Sequence, residues 1–159
     1  MKGKGKPPVA DKTTTIALVS CSGPKAKTAR AARYLYTSPL FRLSLDYAER
    51  NAATSYVLSA RHHLVGLDDV IEPYDERLPT QKDEHHRWGG MVVAMLATRR
   101  SHGSHLLILA GESYARAVIG AGQGVLWKAG DWRAHTSQPL ARMQIGQRLK
   151  WLRDHGAVL

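Results

Sequence analysis

The sequence predicts an α/β fold, a three-layer sandwich around a mainly parallel central sheet, and three observations carry that expectation. Short, wholly apolar runs recur along the chain, amphipathic helical stretches separate them, and each apolar run ends in a polar or glycine-containing segment. Right-handed crossovers then bring successive strand C-termini to one edge, where ligands of such sheets bind. With 159 residues and 43% hydrophobic content the chain can fill one core, which turns the reading away from disordered and fibrous classes.

Residues 1–13 hold Lys2, Lys4, Lys6 and Lys12 against Asp11, with glycines and prolines and little apolar content. They read as a flexible basic tail, able to touch phosphate backbones or to serve only as a solubilising leader. Residues 14–159 read as a single α/β domain. Thr15 to Ser20 (TIALVS) is the first buried strand, stopped by Cys21-Ser22-Gly23-Pro24. Ser38-Pro39 supplies an N-cap serine and a first-turn proline for a helix running to Asn51. Ser55 to Ala60 (SYVLSA) is the second strand and ends in Arg61-His62-His63.

Prolines 73 and 79 break the stretch 68–79 into a structured loop carrying Glu72, Tyr74, Asp75 and Glu76. Thr80 and Asp83 have capping-box spacing ahead of a helix over 81–99, with Trp88, Met91, Val92, Met95 and Leu96 as its apolar stripe. Ser104 to Ala110 is the third strand, followed by Gly111-Glu112-Ser113-Tyr114, a helix over 114–119 and a glycine break at 120–124. A terminal helix over 141–154 closes the domain through Ile145, Leu149 and Leu152.

Charge narrows the partners. Lys plus Arg number 23 against 13 Asp plus Glu, a net of +10. Without the tail's four lysines and Asp11 the remainder still holds 19 basic against 12 acidic residues, so the bias toward nucleic acid or nucleotides belongs to the domain. The lone Cys21 admits no internal disulfide and fits a reducing, cytoplasmic setting. No run of 18 apolar residues and no apolar leader is present, so no membrane association is expected.

Six strings in fixed order carry a resemblance: LVSCS with Lys25 downstream, LYTSPLF, LSARHHLV, IEPYD, LAGESY and PLARMQIGQRLKWL. Over 16–152 the chain resembles an uncharacterised domain-of-unknown-function family of small bacterial and phage proteins. Recurring motifs there are V-S-C-S-x-x-K, L-Y-x-S-x-L-F, L-S-A-K-H-G-L, E-P-Y-D and G-I-G-Q-x-L-x-W-L. It departs from them at His63, where the motif has glycine, at Arg61, where it often has lysine, and at Arg142-Met143-Gln144, where it has a small, glycine-containing stretch. Cys21, Ser22 and Lys25 are also similar to a loop of the archaeosine synthase core domain, a likeness that implies proximity to enzymes of modified nucleobases.

The post-strand segments supply the candidate site. Lys25, His62, Asp75 and Glu112 are the candidate catalytic groups. Asp75 or Glu112 would orient water or stabilise positive charge on a sugar, while Lys25 and His62 would assist a departing base. Cys21, Ser22, Ser59, Arg61, Glu72, Tyr74, Gly111 and Tyr114 are candidates for substrate binding. Each has a plainer alternative: Cys21 a small buried hydrophobe, Lys25 a solvated loop lysine, the loop acids helix caps or partners of Arg77, Glu112 a helix-dipole charge, and Tyr114 a packed ring.

No metal and no cofactor is expected. The eight histidines form no zinc pattern, His85-His86 reads as solvated, the P-loop pattern is absent, and Gly120, Gly122 and Gly124 lack the spacing of a dinucleotide fingerprint. The function read from these residues is a nucleobase- or nucleoside-processing enzyme. It would hydrolyse the N-glycosidic bond of a modified base in DNA, extruded into a polar crevice. The alternative is a non-catalytic nucleic-acid or nucleotide-binding module.

Overall fold

The computed structural model describes residues 11–20, 23–99 and 104–159. Seven strands, β1 (Thr15–Ser20), β2 (Arg30–Ala31), β3 (Thr54–Ser59), β4 (His63–Gly66), β5 (Val70–Ile71), β6 (His105–Leu109) and β7 (Thr136–Ser137), alternate with six helices among these residues. The helices are α1 (Ala32–Leu35), α2 (Pro39–Asn51), α3 (Lys82–Arg99), α4 (Glu112–Gly122), α5 (Trp132–His135) and α6 (Ile145–Asp154).

Five strands form the central sheet in the order β4-β3-β1-β6-β7, parallel except for β4, which runs antiparallel to β3. Alternate residues of β1 face opposite layers, as the period of two requires. Ala17 and Val19 join the core that holds Phe41, Leu43, Ala48 and Leu152 of α2 and α6. Ile16 and Leu18 join the core of Trp88, Val92, Leu96 and Val118 from α3 and α4. This is the α/β sandwich the apolar runs predict.

Chain order within the sheet matters for function. From β1 the chain crosses over α2 to β3 on one side, then returns over α3 on the opposite face to β6 on the other side of β1. The strand order therefore reverses between β1 and β6, the position beyond whose strand C-termini sheets of this kind bind ligands.

Several elements depart from the sequence reading. Lys12–Thr14 is a 3-10 turn whose N-cap Asp11 accepts the Thr13 N–H, so the part of the expected tail at 11–13 is ordered; residues 1–10 lie outside the described residues. Gln81, not Thr80, caps α3, its Oε1 accepting the Glu84 N–H at 2.9 Å. The buried stripe of α3 is Trp88, Gly89, Val92, Val93 and Leu96, leaving Met91 exposed, because Gly89 lies hard against α4. Helix α4 runs on through Gly120 to Gly122, where a Cβ would meet the Trp127 ring at 2.3 Å, so a ring and not a turn occupies the space beside that glycine.

The last helix starts at Ile145, not 141. Arg142 sits at φ +62, outside the right-handed helical region, and Gln144 with Gln147 forms the capping box instead. Ile145 is exposed as a first-turn residue, and the buried face of α6 rests on Leu152. The N-cap Ser38 behaves as read, its Oγ accepting the Phe41 N–H at 3.1 Å. No helix among the described residues is long and apolar enough to cross a membrane.

Candidate functional site

From Gly23 on, the segment after β1 is held to the end of α1. Gly23 takes φ +68, and Ala26 N–H then donates to Leu35 O (2.8 Å) while Thr37 N–H donates to Pro24 O (3.1 Å). Lys25 is thereby paired opposite Tyr36, half-buried, with its ammonium 4.6 Å from the centre of the Tyr74 ring and 5.7 Å from that of Tyr36. A cation over an aromatic face is attracted to the ring quadrupole, which holds Lys25 inward.

Tyr74 is the hub. It is 8% exposed, and its hydroxyl lies 2.6 Å from the Tyr36 hydroxyl and 2.7 Å from Ser59 Oγ. Ser59 Oγ also accepts the His62 N–H at 3.0 Å, and the His62 ring meets the Tyr74 ring edge-on at 5.5 Å. Three segments remote in sequence thus converge on one phenol: the loop after β1, the end of β3, and the proline-broken loop after β5. Tyr74 and Ser59 are both buried and form the floor of this region.

Above this floor lies a crevice of about 460 Å³ lined by Gly23, Lys25, Asp75, Glu76, Arg77, Leu78 and Tyr114. Pro73 and Pro79 prevent 72–79 from coiling into a helix, so Asp75 to Leu78 line the crevice as irregular chain. Asp75 is exposed there, as are Glu76 and Arg77. Arg61, on the loop after β3, pairs with Glu76 at 3.5 Å and ties the rim to that loop.

Tyr114 enters from the first turn of α4. Its ring is half-buried and meets Trp88 edge-on at 5.4 Å; Trp88 in turn donates its indole N–H to Ser59 O at 3.0 Å. The helices α3 and α4 are clamped at this end by His85, whose Nε2 lies 2.9 Å from Ser113 O and 3.2 Å from Ser113 Oγ. His85 is therefore half-buried and bonded, not solvated as its place at a helix start suggests. Neither the clamp nor Trp88's part in the site was legible in the sequence, because both depend on the distance between two helices.

His63 adopts φ +67 at the position where the resembled motif carries glycine, and its ring stacks on Trp88 with centroids 6.4 Å apart. The backbone geometry that glycine would provide is retained despite the side chain. Burial first, then the charges of Arg61 and His63, hold the His62 imidazole below its ordinary value, with Glu76 opposing the shift. His62 is accordingly biased to its neutral form.

The other candidates sit apart. Glu112 is exposed in the first turn of α4, and Glu72 is exposed on the loop after β5; neither lines the crevice. Gly111 is the N-cap of α4 and faces the Arg148 guanidinium on the α6 side. Cys21 and Ser22 lie outside the described residues. Among the described residues no three His, Cys, Asp or Glu side chains gather closely enough to hold a metal ion.

A family model described as "Family of unknown function (DUF6884)" matches residues 16–154. No curated protein and no solved structure matches the chain.

Proposed function

Because the chain belongs to that family, whose description assigns no reaction, its chemistry has to come from its own crevice, and we propose a nucleobase- or nucleoside-processing enzyme that hydrolyses the N-glycosidic bond of a modified base in DNA. One observation carries the reading: Lys25, Asp75 and Tyr114 line a single crevice at the point where strand order reverses between β1 and β6. About 460 Å³ falls in the range of small-ligand pockets and accepts one extruded nucleoside.

Roles follow from chemistry. Tyr114 offers a ring for a base to stack on. Of the two carboxylates that line the crevice, Glu76 is paired with Arg61; Asp75 orients a water and takes its proton as the oxygen bonds to the sugar's anomeric carbon, and the same charge steadies the cationic sugar as the carbon–nitrogen bond breaks. Lys25 protonates or neutralises the departing base. The lowered pKa of His62 leaves less of it protonated near neutral pH, so it assists as a neutral hydrogen-bonding group. Arg77 and the chain's net charge of +10 favour a phosphate backbone along the rim.

The test is mass-spectrometric detection of free bases after incubation with phage DNA carrying natural and modified bases. Release that disappears in Asp75→Asn and Lys25→Gln variants supports the reading; equal release by both variants removes their roles. A non-catalytic binding module is the second reading, favoured by the exposure of Asp75, since catalytic carboxylates are more often desolvated. Steeply salt-dependent DNA binding with no base released is its signature.

A further inference from the structure

A second hollow lies at the opposite end of the sheet. It measures about 500 Å³ and is lined by Thr15, Tyr47, Asn51, His105, Leu107, Ser137, Gln138 and Pro139. Thr15 begins β1 and His105 begins β6, so this pocket opens where the parallel strands start, whereas the crevice described above opens where they end. Tyr47 and Asn51 come from the last turns of α2, and Ser137 belongs to the edge strand β7.

Its lining has an unusual composition for this chain. None of the eight residues is Lys, Arg, Asp or Glu, although the protein carries a net charge of +10. A phosphate or carboxylate would find no fixed counter-charge among these described lining residues. The polar groups are instead neutral and of mixed hydrogen-bonding character. Asn51 donates its Nδ2 to Tyr47 O at 2.8 Å, which leaves Oδ1 as an acceptor. Gln138 is half-buried and its side-chain amide has no hydrogen-bond partner among the described residues, so it presents a donor and an acceptor side by side. His105 Nε2 and Ser137 Oγ lie 2.7 Å apart and form a preset polar wall. Leu107, Pro139 and the Tyr47 ring supply apolar surface.

An amide with adjacent donor and acceptor, a second acceptor and an aromatic ring match the edge and face of one kind of small molecule. We infer that this pocket binds an uncharged heterocycle with neighbouring hydrogen-bond donors and acceptors, the chemistry of a free nucleobase or nucleoside. The site is separate from the crevice and does not depend on the reaction proposed there.

The experiment titrates the full chain with adenosine, guanosine, cytidine and uridine, and with maltose as an uncharged control, following backbone amide NMR signals. Saturable movement of the Ser137 and Gln138 signals by at least one nucleoside is expected, and it persists in Asp75→Asn. Asn51→Ala and Gln138→Ala each weaken that binding about three- to ten-fold, the loss that follows from removing one hydrogen bond in a partly exposed site. The dispersion of the remaining signals reports whether each variant is folded. Movement confined to the crevice residues, movement unchanged in both pocket variants, stronger movement with maltose, or no saturable movement up to about 10 mM nucleoside overturns the inference.

Discussion

Replacing Gly89 by alanine puts a carbon where two helices already touch. The added Cβ falls 2.3 Å from Ala117 O and 2.8 Å from its carbonyl carbon, both backbone atoms of α4 that no rotamer change can move. Ordinary contact begins at 3.4 Å, so α4 must retreat by about 1 Å along that line. A 2.3 Å approach to backbone belongs in the upper part of the overpacking range, about 2–3 kcal/mol, and the better helix propensity of alanine returns about 1 kcal/mol, leaving a net destabilisation of about 1–2 kcal/mol. Gly90 is the internal control: nothing lies within 4 Å of its Cβ position, so Gly90→Ala stabilises by about 0.5–1 kcal/mol. Urea denaturation reads both as midpoint shifts of opposite sign at constant slope. Because the same helix pair carries the contacts of His85 with Ser113 and of Trp88 with Tyr114, the Gly89 variant also changes the His85 ring signals in NMR. A Gly89→Ala midpoint at or above that of the parent, or two variants shifting the same way, refutes the close crossing of α3 and α4.

Two further perturbations address the floor and rim of the crevice. Tyr74→Phe keeps the ring under Lys25 but removes the hydroxyl between Tyr36 and Ser59; a loss of about 1–3 kcal/mol in denaturation is expected, and an unchanged midpoint would contradict the hub. His62 titrates below its ordinary 6.5, so the folded state binds this proton less tightly than the unfolded chain does. Its contribution therefore penalises the fold as pH falls through 6.5 toward the folded value, and stability rises with pH across that window. NMR titration should find the His62 pKa raised by Arg61→Gln and lowered further by Glu76→Gln; movement in the same direction for both would refute the electrostatic account of the rim.

What the sequence made legible is what local patterning controls. β1, β3 and β6 stand out as apolar runs, and Ser38-Pro39 announces α2, because burial on both faces and a cap each leave a mark within a few residues. The two-residue strands β2, β5 and β7 leave no such mark; their pairing is decided by a partner remote in sequence. The same division runs through the site. Alternation of strand and helix suffices to bring Lys25 and Tyr114 to one edge, but not to reveal that Tyr74 and Ser59 face inward or that His85 grips Ser113. His63 and Arg142 are the two non-glycine residues with positive φ among the described residues, and neither leaves a mark in the local pattern, because a single left-handed residue changes no periodicity.

The two borders of the sheet have a consequence for how this molecule behaves in a crowd. β7 is two residues long and is followed within two residues by Pro139, which has no N–H to offer an incoming chain. At the other border β4 is four residues long, and the N–H of its last residue, Gly66, is already taken by Asp69 Oδ2 at 2.8 Å. Neither margin offers a long template for a foreign strand, so templated stacking into fibrils finds little purchase on the native fold.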